Sequence, residues 1–235
     1  DKLEIIDDIV DSQAIINFKF KFTQKSGKHI TKLKGVSKAY DELEILQNTT
    51  ATIARGDKIA LIGANGKGKS TLLRIIGGSE PVQGEVEAGF NVITAFFAQH
   101  QLESLTVNNE ILDELKQAGS KKTEQELRSI LGCFLFSGDD VFKKIKVLSG
   151  GEKCRVLLGK LLISPVHLLI LDEPTNHLDM ESIESLNLAL ENYEGTLLFV
   201  SHDREFVSSL ATRIIELTPT GIVNFDGNYE EYLRS

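Results

Sequence analysis

The chain has 235 residues, of which 41% are hydrophobic and 26% charged, and carries a net charge of −8. These proportions suit one soluble α/β domain, or one domain with a smaller lobe, and give enough chain to bury a substantial core. The acidic balance argues against a broad nucleic-acid-binding face. In chain order, the acidic stretch Asp1 to Asp11 reads as the end of a linker. The start at Asp1, with Met180 as the only methionine, reads as a piece of a longer product. Phe18, Phe20 and Phe22 alternate with polar residues at the period of a half-buried strand. A turn around Gly27 leads into a strand through Leu33 and Val36, and a further apolar run covers Ile45 to Ile53.

Asp57 to Ile62 is a short apolar strand ending at Gly63, followed by a helix carrying Leu72, Leu73, Ile75 and Ile76. Gly77 and Gly78 stop that helix. Val92 to Phe97 reads as a strand. From about Val107 to Leu131 the sequence turns charged and helix-forming, with Thr123 and Glu126 at capping-box spacing. This interval predicts a helical lobe, about residues 103–162, inserted into the α/β core. A helix from near Gly150 precedes a buried strand, Val166 to Leu171. The remainder predicts a helix from Met180, a strand Thr196 to Val200, a helix from Arg204 and a hairpin around Pro219-Thr220-Gly221. Strands alternating with helices predict a mainly parallel sheet.

The apolar run Val156 to Leu171 is broken by Lys160, Ser164, Pro165 and His167, so no membrane insertion is expected. No secretory signal opens the chain. Cys133 and Cys154 form no C-x-x-C pair and read as small core residues, which suits a reducing cytoplasm.

Gly63-Ala64-Asn65-Gly66-Lys67-Gly68-Lys69-Ser70 matches the phosphate-binding loop at every fixed position, after a strand and before a helix. Its glycines let the backbone turn tightly and aim N–H groups at phosphate oxygens. Lys69 is placed to reach the β and γ phosphates, Ser70 to hold Mg²⁺, and Thr71 to donate nearby. Leu168 to Leu171 runs into Asp172-Glu173, which delivers two carboxylates to the carboxyl edge of the sheet. Asp172 would orient Mg²⁺ through its water shell, and Glu173 would polarise the water attacking the γ-phosphate. A lone Asp-Glu at a strand end is ordinarily just solvated; the loop's company gives this one chemical meaning. His202, after Thr196 to Val200, has the position of a γ-phosphate contact, although a histidine after a strand is usually a surface or capping residue. Ser149-Gly150-Gly151-Glu152 has the spacing of a capping box, with Ser149 as N-cap. Glycines at the first two helical positions are poor helix formers, which makes sense if a ligand approaches their N–H groups.

Together these segments resemble the nucleotide-binding domain of the ATP-binding cassette (ABC) superfamily, from about Leu33 to Leu233. Gly63 to Ser70 is similar to its Walker A motif, Leu168 to Asp172 to Walker B, and Leu148 to Glu152 to the signature motif. Gln99 falls at the Q-loop, Asp179 at the D-loop, His202 at the switch histidine, and Tyr40 where an aromatic ring meets adenine. The resemblance implies an α/β P-loop cassette: a mainly parallel core, an antiparallel N-terminal β-subdomain and an inserted helical lobe. It implies that residues 1–14 end an inter-cassette linker and 15–235 form the ATPase domain. It also implies ATP hydrolysis with Mg²⁺ held by Ser70, Gln99 and Asp172.

Phe97-Ala98-Gln99-His100-Gln101, Leu171 to Asp179 with Asn176-His177, Ser201 to Arg204, and Asp226 to Tyr232 resemble the ABC-F group of soluble tandem ATPases. Many of these act on ribosomes, and the start of this chain resembles a second cassette. The resemblance implies a head-to-tail partner cassette, in the same polypeptide or a homodimer, whose signature helix completes each ATP site. It further implies a ribosome-type partner and a cytoplasmic location. The alternative is the ATPase subunit of a membrane transporter, against which Glu152 and Asn176-His177 speak. Lys67 and Gly159-Lys160 replace small or apolar residues expected from the resemblance.

Overall fold

The computed structural model describes residues 26–118 and 121–235. The expected strand at Phe18 to Phe22 and the linker segment lie outside these residues. The chain divides into two compact units.

One unit takes the described chain up to Ala98, with Val166–Pro174 and Gly195–Ser235. It holds strands β1 (His29–Tyr40), β2 (Leu43–Ala54), β3 (Lys58–Gly63), β4 (Gln83–Ala88), β5 (Thr94–Phe97), β6 (Leu168–Asp172), β7 (Thr196–Val200), β8 (Arg213–Thr218) and β9 (Gly221–Asp226). Helix α1 (Lys69–Ile76) also belongs to it. Two sheets result: a three-stranded antiparallel sheet ordered β2-β1-β4, and a six-stranded sheet ordered β5-β6-β7-β3-β8-β9. In the larger sheet every pairing is parallel except β8 with β9.

Strands β6 and β7 explain why that sheet is parallel and central. Leu168 to Leu171 and Thr196 to Phe199 are wholly buried, so both faces of each strand are covered, as parallel sheets require. Helix α1 buries Leu72, Leu73, Ile75 and Ile76 in one core with Leu33 and Val36 of β1 and Leu198 of β7. It ends as the two glycines predict. Gly78 takes a left-handed φ of 74°, Ser79 N–H donates to Arg74 O at 2.9 Å, and Gly78 N–H to Ile75 O at 3.0 Å. Strand β4, an exposed edge strand, has no apolar alternation to announce it beyond Val86.

The second unit comprises Gln99–Pro165 and Thr175–Glu194 among the described residues. It is helical: α2 (Ile111–Lys116), α3 (Glu124–Cys133), α4 (Gly150–Ile163) and α5 (Met180–Glu191). The capping box at Thr123 and Glu126 is formed, each side chain satisfying the other's backbone N–H. Cys133 and Cys154 are core residues as expected, and burial pushes the Cys154 thiol pKa up. Lys160, out of place by family resemblance, has a physical reason. Its ammonium donates at 2.6 Å to Glu114 Oε1, a carboxylate with no exposed surface. Asn109 Nδ2 donates to the other oxygen at 2.8 Å.

The chain finishes in the first unit with α6 (Arg204–Leu210) and α7 (Tyr229–Arg234). The latter opens with a capping box of Asn228 and Glu231 that the sequence reading did not assign to a helix. Among the described residues no helix is long and apolar enough to cross a membrane.

Candidate functional site

Three neighbouring parallel strands, β6, β7 and β3, end on one edge, and each releases a different functional group there. From β3 comes the loop Gly63 to Gly68, from β6 Asp172 and Glu173, and from β7 Ser201 and His202. A cleft of about 420 Å³ collects them: Asn65, Gly66, Gly68, Lys69, Ser70 and Thr71 line it with Asp172, Glu173 and His202. Tyr40, Leu43, Ile45 and Val200 complete its wall.

Two glycines show why the loop needs them. At Gly63, with φ 150°, an added Cβ would lie 2.8 Å from Leu217 O, a backbone atom that cannot yield. Gly68 caps α1 in a left-handed conformation, φ 100°, and a Cβ there would strike Ile45 Cδ1 at 2.6 Å. The Lys69 ammonium is drawn over the loop, donating to Gly63 O at 2.8 Å, Ala64 O at 3.2 Å and Asn65 Oδ1 at 3.2 Å. Lys67 closes the loop differently, its N–H donating to Ala64 O at 3.4 Å.

Glu173 sits in a left-handed backbone conformation, φ 51°, which a non-glycine residue adopts only where its surroundings impose it. Here its N–H donates to Val200 O at 2.9 Å, tying the end of β6 to the end of β7. Its carboxylate takes two contacts from one residue. His202 N–H donates to Oε2 at 3.2 Å, and His202 Nε2 lies 3.2 Å from Oε1. Glu173 and His202, to which the sequence assigns separate roles, are therefore in direct contact.

Tyr40 and Leu43 face each other across the β1–β2 hairpin, whose turn holds Asp41 at φ 50°. This places a half-exposed aromatic ring and an aliphatic side chain at the cleft wall. Leu43 and Ile45 were not among the predicted site residues. The signal that could have found them was register, since a turn just after Tyr40 folds the next strand back beside it.

Gln99, Ser149 to Glu152 and Asp179 belong to the helical unit. Gln99 begins a short 3₁₀ helix, Gln99–Ser104. Ser149 caps α4: Glu152 N–H donates to its hydroxyl at 3.2 Å, and Ser149 N–H to the Glu152 carboxylate at 2.7 Å. That reciprocal pairing holds the Glu152 carboxyl below its usual range, the Ser149 N–H first among the causes. Gly151 passes close to the chain after Thr175, where a Cβ would lie 3.2 Å from His177 O. Asp179 caps α5, accepting from Ser182 N–H at 2.9 Å.

As a cation site the cleft offers hard oxygen donors, the Ser70 hydroxyl and the Asp172 carboxylate. Among the described residues no group of three or more His, Cys, Asp or Glu side chains is placed to hold a metal. This donor set suits an ion of Mg²⁺ type, which keeps waters and takes one or two protein ligands plus substrate phosphates.

Residues 46–176 match the family described as "ABC transporter". That span is more than half of the chain. The chain belongs to the ABC transporter family. Its fold, a largely parallel core with an antiparallel N-terminal sheet and inserted helical segments, is that of an ABC ATPase cassette. Along its full length the chain is 48% identical to the "Probable ATP-binding protein YbiT" of Escherichia coli O157:H7, covering 45% of that protein. It is 42% identical over 99% of its length to the "Putative ATP-binding protein YdiF" of Bacillus subtilis (strain 168), covering 36% of it. To "ABC transporter F family member 5" of Arabidopsis thaliana it is 38% identical over 92% of its length, covering 32% of that protein. The cassette thus spans less than half the length of these relatives.

Proposed function

We propose that this chain is an ATP-binding and ATP-hydrolysing cassette of an ABC-F protein, the second of two in its parent. The observation that carries the reading is convergence: phosphate loop, two carboxylates, a histidine and an aromatic ring line one cleft. In this reading the ring of Tyr40 stacks on the base, while loop N–H groups, Lys69, Ser70 and Thr71 bind the phosphates. Asn65, Gly66, Lys67 and Gly68 supply the turn around the phosphates. Ser70 and Asp172, which both line the cleft, would hold Mg²⁺. When bound, that ion neutralises charge on the β and γ phosphates. Glu173, oriented by its contacts to His202, accepts a proton from the attacking water. His202 in turn contacts the γ-phosphate.

The Ser149-Gly150-Gly151-Glu152 helix start, with Asp179, is proposed to serve the nucleotide of a second cassette packed head to tail. Closure of two cassettes around ATP would then alter the parent's grip on a ribosome-type partner in the cytoplasm. What supports the ABC-F reading over a transporter subunit is the relatives named F family members, together with Glu152 and Asn176-His177. The test is Glu173→Gln, assayed for phosphate release and, within the full-length parent, for ATP-dependent co-sedimentation with ribosomes. Binding that follows ATP supports the reading. ATP-trapped protein that ignores ribosomes overturns the ribosomal part, and undiminished phosphate release overturns the role of Glu173.

A further inference from the structure

Beside the base end of the cleft, three side chains, two from β1 and one from α1, meet at one carboxylate. Glu80, in the loop after α1, has a side chain only 13% exposed. Its Oε1 accepts from the Tyr40 hydroxyl and from Lys38 Nζ at 2.8 Å, and its Oε2 from Arg74 Nε at 3.1 Å. Lys38 also donates to Pro81 O at 2.8 Å, and its ammonium lies 4.7 Å from the centre of the Tyr40 ring. Arg74 reaches on through Nη2 to the Thr71 hydroxyl at 3.3 Å, on the cleft wall.

We infer that Glu80 is a positioning residue for nucleotide recognition: it tethers the Tyr40 hydroxyl so that one face of the ring is presented to the base. This rests on the proposed ATP-binding reading and deepens it by naming what sets base affinity.

The geometry gives the tether its direction. A tyrosine at a hairpin tip ordinarily samples several rotamers, and ordering it on binding costs entropy. Here the phenol is fixed at its far end. Lys38 occupies one ring face, so a purine stacks on the other. The anchor is permanent at any working pH, because Lys38, then Tyr40 and Arg74, hold the Glu80 carboxyl at about 2. The same carboxylate links the ring, through Arg74 and Thr71, to the helix that begins at the phosphate loop. Base and phosphate subsites are thereby held to one spacing.

The experiment measures affinity of the chain for ATP and for inorganic tripolyphosphate, which lacks the base. The variants are Tyr40→Ala, Tyr40→Phe, Glu80→Leu, Glu80→Gln and the double variant Tyr40→Phe with Glu80→Leu. Tyr40→Phe keeps the ring and the whole ionic cluster, so its result does not depend on how well Glu80→Leu folds. Tyr40→Ala is expected to weaken ATP about 5- to 160-fold, the range for losing one base–aromatic stack. Tyr40→Phe and Glu80→Leu should each weaken ATP about 2- to 12-fold, as the cost of ordering one freed side chain on binding implies, and leave tripolyphosphate unchanged. The double variant should be no weaker than the weaker single, and Glu80→Gln, which keeps an acceptor oxygen, should recover part of the loss. Glu80→Leu or Tyr40→Phe with the native ratio of ATP to tripolyphosphate affinity, while Tyr40→Ala lowers it, overturns the positioning role and leaves base stacking standing. If Tyr40→Ala also keeps that ratio, base stacking falls as well, and the proposal with it.

Discussion

Lys160→Met should destabilise the chain strongly at neutral pH and only slightly near pH 5. Among the described residues the Lys160 ammonium is the one cationic donor to Glu114 Oε1, at 2.6 Å, and the carboxylate itself is wholly buried. Without it, Asn109 and the Thr106 N–H, at 2.8 and 3.4 Å, are the donors that remain among the described residues. Leaving the carboxylate charged then costs about 3–5 kcal/mol. Its escape is to take a proton, and at pH 7 that costs about 3.7 kcal/mol, from an ordinary carboxyl pKa of about 4.3. The loss at pH 7 is therefore about 3–4 kcal/mol, whereas at pH 5 the escape route costs only about 1 kcal/mol. In the native chain burial pushes the Glu114 carboxyl up, yet Lys160 and Asn109 outweigh it and the net direction is down. A depressed carboxyl stabilises above its unfolded pKa and loses that stability as pH falls through the folded value. In the variant the direction reverses, and the penalty grows as pH rises above about 4.3. Urea unfolding at pH 5.0 and 7.5 reads the difference directly. Lys160→Met combined with Glu114→Gln should recover most of the stability at pH 7.5. Equal destabilisation at both pH values, or a double variant no better than the single, would refute the argument.

Other consequences can be checked separately. Glu173→Gln should slow phosphate release about 100- to 10,000-fold, the usual contribution of a positioned base, with ATP affinity changed no more than a few-fold in equilibrium titrations. Gly68→Ala should cost about 1–2 kcal/mol in urea unfolding, because a left-handed alanine is strained, and should weaken ATP because its Cβ displaces Ile45, which lines the cleft. Ser149→Ala should lower stability by about 1 kcal/mol through loss of the α4 cap. Glu152→Gln should flatten part of the acid limb of the stability curve. The native Glu152 carboxyl is depressed, so its contribution is present above the unfolded pKa and disappears as pH falls through the folded value.

Much of the site was legible because its chemistry depends on local pattern. A glycine loop between strand and helix, two carboxylates after four buried aliphatics, and a capping box need only neighbours in sequence. Elements with a strong apolar signal were legible for the same reason: β7 coincides with the apolar run Thr196 to Val200, and α6 starts at Arg204 as expected. What escaped shares the opposite property. Strand β4 exposes most of its side chains, so hydrophobic periodicity says nothing of it, and it exists because its backbone pairs with β1. The Lys160–Glu114 pair joins residues 46 positions apart, and the lysine alone looked like a departure from family pattern. Glu80 lies 40 positions from Tyr40 in a loop with no motif, and only folding brings its carboxylate to the phenol. The left-handed turn at Glu173 is of this kind too. No residue type there announces it, since glycine would take that conformation more cheaply. A glutamate held there against backbone preference, its N–H on β7 and its carboxylate on His202, shows local stability yielding to the placement of one oxygen pair.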